Sequence, residues 1–158
     1  MKKRLEIELF EEYEIVNIYT VQFENESSEI DKFLDKFPLQ GKNAKDIQKI
    51  VKYLDIIGKR GALERYFRPE GKYKDRVYAL PIENCVLRLY VIRISDNILI
   101  LGNGGIKSTK KYEEDTELNS YVEQLQSIDC LINNRTRKGQ LHISRKYLLG
   151  NLVFEIEI

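Results

Sequence analysis

Three glycines run into three lysines in residues 99–115, LILGNGGIKSTKKYEED, the makings of a loop that cradles phosphate on main-chain amides. A Walker-type loop sets one glycine immediately before its lysine and another five residues earlier. Ile106 and Leu101 occupy those two positions, so that loop is excluded. A dinucleotide fingerprint fails too: Gly102 and Gly104 give G-x-G, but Lys107 stands where the last glycine belongs. What remains is cation chemistry. Lys107, Lys110 and Lys111 cluster just past the glycines, and ammonium groups hold phosphate oxygens or stabilise charge that develops on them. Arg88 lies in a neighbouring apolar run, CVLRLYVIRI, where strand alternation sets Arg88 and Tyr90 on one face. The expectation is that Arg88 and Lys107 present their head groups on the same side of a sheet.

That sheet must come from the surrounding pattern. Residues 85–94 and 97–102 read as two strands joined by Ser95, Asp96 and Asn97 in a tight turn. Gly102, Gly104 and Gly105 are expected to bend the chain at positive φ where the second strand ends. Upstream, residues 13–23 alternate through Tyr13, Ile15, Tyr19, Val21 and Phe23 as a strand does. Ile30, Phe33, Leu34 and Phe37 then share one helical face, with Ser28 and Asp31 suited to start that helix and Pro38 to close it. The stripe Ala44, Ile47, Ile50, Val51, Leu54, Ile57 predicts a second helix, capped by Asn43 and stopped by Gly58. Residues 58–81 are irregular, with a short strand near Val77–Leu80. Helical spacing returns over 117–133 through Leu118, Tyr121, Val122, Leu125, Ile128 and Ile132, and alternation around Leu152, Phe154 and Ile156 predicts a terminal strand.

Length and composition set the frame. A chain of 158 residues, 42% apolar and 32% charged, suits one α+β domain with its own core and a largely antiparallel sheet. It contains no apolar run of transmembrane length and no apolar stretch near its start that suits a secretory signal. Cys85 and Cys130 lie in apolar contexts without metal-ligand spacing, which reads as buried free thiols in a reducing cytoplasm. The net charge of +1 conceals a basic centre: residues 58–111 carry 12 Lys/Arg against 5 Asp/Glu. Such a centre between acidic flanks suits a large anion, nucleic acid above all, or else is a solvated charged face.

The segment VLRLYVIRISDNILILGNGGIKSTKKYEED carries a family resemblance. A strand bearing an arginine, a hairpin, an apolar strand, a glycine bend and a K-x-T-K-K cluster is similar to the RelE/ParE superfamily, and most of all to its HigB-like, phage-protein-like toxins. The resemblance spans residues 13–133 and is concentrated in 77–125. It implies an α+β, RelE-like domain over 1–158: two N-terminal helices packed on a mainly antiparallel sheet, with a C-terminal extension over 134–158. It further implies a toxin of a type II toxin–antitoxin module that cleaves mRNA on the ribosome. The expected partners are a cognate antitoxin and ribosome-bound mRNA, with no membrane, and the expected location is the cytoplasm. No metal or other cofactor is expected, because the 2′-OH of the RNA serves as nucleophile.

In that reading Arg88 contacts the scissile phosphate, and Lys107 and Lys110 complete the catalytic set. Lys111, Arg65, Arg68, Tyr66 and Tyr90 bind RNA through phosphate contacts or base stacking. His142, the only histidine, falls in the extension and is read as a residue without a catalytic part. Two alternatives stand beside the nuclease: a RelE-fold binding protein that keeps the basic surface without catalysis, and an unrelated α+β protein.

Overall fold

The computed structural model describes residues 1–69, 75–107 and 115–157, with the main chain alone of residues 68 and 69. Strands lead the chain. β1 (Lys2–Glu12) and β2 (Asn17–Phe23) form an antiparallel pair before any helix occurs. α1 (Glu29–Lys36) and α2 (Ala44–Arg60) follow, then a 3-10 turn (Glu64–Tyr66) and β3 (Arg68–Pro69). Next come β4 (Val77–Ala79), β5 (Leu87–Ser95), β6 (Ile98–Ile106) and α3 (Thr116–Arg137). The chain closes with β7 (Leu141–Ser144), β8 (Tyr147–Gly150) and β9 (Val153–Glu157).

Among the described residues, seven strands make one sheet in the order β3-β4-β5-β6-β2-β1-β9, and β7 with β8 forms a separate hairpin. The pairings described in the large sheet are antiparallel except that of β2 with β6. The expected arrangement of two N-terminal helices on a RelE-like sheet is therefore overturned. The helices enter after the first hairpin, and α3 covers the other face. The physical cause lies in alternation along β5 and β6. Leu87, Leu89, Val91, Leu99 and Leu101 bury into one core with α1 and α2. Tyr90, Ile92, Ile98 and Ile100 bury into a second core with α3 and the β7–β8 hairpin. A sheet apolar on both faces needs a layer on each.

The C-terminal segment is not an appendage outside the sheet. β9 pairs with β1 from Lys2↔Glu157 to Glu6↔Val153, so both ends of the chain lie in the main sheet. Leu141 and Leu148 of the small hairpin are buried beside α3, and the Leu148 amide donates to the Tyr19 hydroxyl at 3.0 Å.

Several local expectations hold. The Asp31 amide donates to the Ser28 hydroxyl at 3.2 Å, so Ser28 caps α1. Asn43 stands at the start of α2, though its side chain makes no cap bond. Others need correction. Tyr13 is not in a strand; its ring lies over Gly58, where a Cβ would run into it, and its hydroxyl donates to Asp55 at 3.1 Å. Gly58 thus sits inside α2, giving room for that ring, and Gly61 at φ 113 ends the helix. Cys85 is buried as expected, and burial pushes its thiol up; Cys130 is exposed.

Candidate nucleic-acid interface

β5 and β6 build the candidate site. Their turn is tied by the Asn97 amide donating to Ser95 Oγ at 3.1 Å. From there β6 continues through Gly102, Gly104 and Gly105 and ends only at Ile106. None of these three glycines has positive φ, so the expected bend is overturned. They serve close packing. Side chains at 102 and 105 would meet Leu125 and Leu118 of α3, and one at 104 would overlap the Arg88 carbonyl oxygen. The ladder register shifts by one residue between Leu89 and Val91, a bulge that brings the two main chains together there.

Register fixes the faces. Arg88 lies opposite Gly105, and a Cβ on Gly105 would point at Leu118 and Glu117 of α3. Directly opposed residues share a face, so Arg88 belongs to the α3 side. The Lys107 amide donates to the Val86 carbonyl at 2.8 Å, continuing the ladder one step past β6. Two residues on from Gly105, Lys107 falls on the same face as Arg88. The register thus sets these two residues on one face, which fixes their main-chain positions and not their head groups. Lys110 and Lys111 lie outside the described residues.

The Arg88 guanidinium folds back along its own strand. Its Nη1 donates to the carbonyl oxygens of Cys85 at 3.0 Å and Leu87 at 3.3 Å. Its Nε is buried and finds no acceptor among the described residues. Arg88 also lines an open cleft of about 680 Å³ with residues 81–86. An anion entering this cleft would compete with carbonyl groups, not carboxylates, for the head group.

A cation missed from the sequence, Lys36, sits at the same glycine stretch. Its Nζ donates to the Gly104 carbonyl at 2.7 Å and to the Tyr121 hydroxyl at 3.0 Å, and lies 3.4 Å from Glu117. Burial, then the Glu117 charge, pushes the Tyr121 hydroxyl up. Lys36 ties α1, β6 and α3 together, and its charge is already answered. Sequence spacing gave no sign of this, since Lys36 and Gly104 are 68 residues apart.

The remaining candidates do not join this face. Tyr90 is fully buried in the α3-side core, so no base can stack on it. Tyr66 packs against the α2-side core, with the Arg65 guanidinium 5.1 Å from its ring centroid. Hydrogen bonds from Arg65 and then Arg60 outweigh partial burial and draw the Tyr66 hydroxyl down. Arg65 and Tyr66 therefore form a second basic spot on the opposite face of the sheet. The Arg68 main chain pairs with Ala79 at the sheet edge. His142 is exposed on β7, in the separate hairpin. Among the described residues, no group of three or more His, Cys, Asp or Glu is placed to hold a metal ion.

No family model, curated protein or solved structure matches this chain. Among the described residues, no helix is long and apolar enough to cross a membrane.

Proposed function

We propose that the chain acts on RNA as a cytoplasmic toxin of the RelE/ParE kind, cleaving ribosome-bound mRNA without a metal and held in check by an antitoxin protein. One observation carries the reading: Arg88 and Lys107 share a face at the end of the β5–β6 ladder, directly before the Lys110–Lys111 segment. In the proposed reaction the RNA 2′-OH gives up its proton to solvent water as its oxygen attacks the adjacent phosphorus, and the bond from phosphorus to the 5′-oxygen breaks. Negative charge concentrates on the phosphoryl oxygens in between. Arg88 and Lys107 stabilise that charge, and an ammonium group of the lysine cluster donates the proton that the leaving oxygen takes.

A second reading is favoured by the Arg88 bonds to the Cys85 and Leu87 carbonyls. A guanidinium held in that way suits a surface that binds RNA without cleaving it. Induced expression separates the two. The toxin reading expects growth arrest that Arg88→Ala abolishes and that a co-expressed antitoxin relieves. Undiminished growth on induction of the folded wild-type protein contradicts it, and RNA binding that weakens steeply with salt then leaves the binding reading.

A further inference from the structure

On the other side of the molecule, an apolar groove of about 520 Å³ opens between β1, α1 and α2. Ile30, Leu34 and Leu54 line it, and three large apolar side chains on its walls stay exposed: Phe10 at 40%, Leu39 at 60% and Val51 at 49%. Exposed apolar groups grouped around one groove, unlike scattered ones, mark an interaction surface.

Acidic groups outnumber cations on its wall, Glu11 and Asp55 against Lys52. Glu11 and Asp55 line the groove, with the Tyr13 hydroxyl donating to both, at 3.2 and 3.1 Å. Glu8, two residues before Phe10, lies within electrostatic reach of Asp31, next to Ile30 on α1. Partial burial, with the nearby charges of Glu6 and Asp31, pushes the Glu8 carboxyl up. Among the described residues Glu8, Glu11 and Asp31 form no ion pair, and Asp55 is answered by Lys59 at 2.9 Å. Lys52 is the one cation on the groove wall among the described residues. An acidic partner would meet like charge here, and a wholly apolar one would strip water from unpaired carboxylates.

The backbone decides the shape of the occupant. The β1–β2 register shifts between Leu9 and Glu11, so Phe10 bulges out of the ladder at this rim. β1 lies between β2 and β9 and is bulged here, a poor template for an added strand, whereas side-chain pockets between helices take the apolar face of a helix.

We propose that this groove seats a cationic amphipathic helix of a partner protein, its apolar face on Phe10, Leu39 and Val51 and its Lys/Arg side chains against Glu8, Glu11 and Asp31. The surface is separate from Arg88, and the proposal stands whether or not the chain cleaves RNA.

The test uses a fluorescent Leu/Lys peptide of about five helical turns, with leucines spaced i, i+3, i+4, i+7, and a second peptide with Glu in place of Lys. Binding to the full chain is read by anisotropy at about 0.15 M salt. The expected result is at least about tenfold tighter binding of the Leu/Lys peptide, a loss of about tenfold in Val51→Asp, and no change in Arg88→Ala. The triple variant Glu8→Lys/Glu11→Lys/Asp31→Lys should invert the preference. All these positions are at least partly exposed, and circular dichroism checks that each variant is folded. Equal binding of the two peptides, or Leu/Lys binding indifferent to Val51→Asp, overturns the proposal. So does self-association of the free chain that Val51→Asp abolishes, which would assign the groove to a second copy.

Discussion

The main chain of Arg88 closes over Gly104 so tightly that a Cβ on the glycine would overlap the Arg88 carbonyl oxygen. The arginine at the centre of the candidate site is thus positioned by a residue sixteen places away that has no side chain. Gly104→Ala must push β5 and β6 apart, and backbone cannot yield as a flexible side chain does. The expected cost is about 3 kcal/mol by urea unfolding. Gly139→Ala is the control: it has open space and only its φ of 72° as a penalty, so about 1 kcal/mol is expected.

Asp129 anchors α3 to the entrance of β4. Its carboxylate accepts from Arg76 Nε at 2.8 Å and from the Arg76 amide at 3.2 Å, and its side chain is only 4% exposed. Asp129→Ala leaves a guanidinium part-buried without its partner and should cost about 3 kcal/mol. The double variant Asp129→Ala/Arg76→Met should be less destabilised than Asp129→Ala alone. A double-mutant cycle measures this, and strict additivity would contradict it.

Glu26 contributes stability with a definite pH sign. Hydrogen bonds from Lys3 and Lys32 hold its carboxyl below its ordinary value of 4.5. A depressed carboxyl stabilises fully above that ordinary value and loses its contribution as the pH falls through the depressed one. Glu26→Gln should therefore lower the unfolding free energy measured in urea at neutral pH, by about 0.5–1 kcal/mol for a pair this near the surface. The difference should shrink steadily below the ordinary carboxylate range. An equal difference at acid and neutral pH would show that charge is not its cause.

The two basic spots lie on opposite faces of the sheet, so they should bind RNA independently. Arg88→Ala and Lys107→Ala are each expected to lower the salt slope of RNA binding by about 1. Arg65→Ala should add to Arg88→Ala without coupling. Filter binding across a salt series measures both, and strong coupling between Arg65 and Arg88 would place them on one bound strand.

Legibility of the sequence followed local physics. The helices declared themselves because Ile30, Phe33 and the stripe from Ile47 to Ile57 repeat at helical spacing, and Ser28 caps where its type predicts. The β5–β6 hairpin declared itself through two apolar runs and a polar turn. β1 was legible but unread: Leu5 and Ile7 alternate with charged residues, and both are buried on one face. Once that strand is overlooked, the first helix looks N-terminal and β9 looks like an extension, because its partner is missing. The glycines of β6 were opaque for another reason. Whether a glycine turns the chain or admits a neighbour depends on what packs against it, and Leu118, Leu125 and Arg88 approach from distant positions or the neighbouring strand. Tyr90 shows the same limit, since alternation gives a residue its face but not the helix that will cover that face.

The nuclease reading meets its most direct test in primer extension on mRNA bound to purified ribosomes, with wild-type protein and the Arg88→Ala and Lys107→Ala variants side by side. The account predicts discrete cleavage ends that appear only when ribosomes are present, fall by at least about a hundredfold in Arg88→Ala, and weaken in Lys107→Ala. Intact mRNA with folded wild-type protein, or cleavage that Arg88→Ala leaves unchanged, would contradict it.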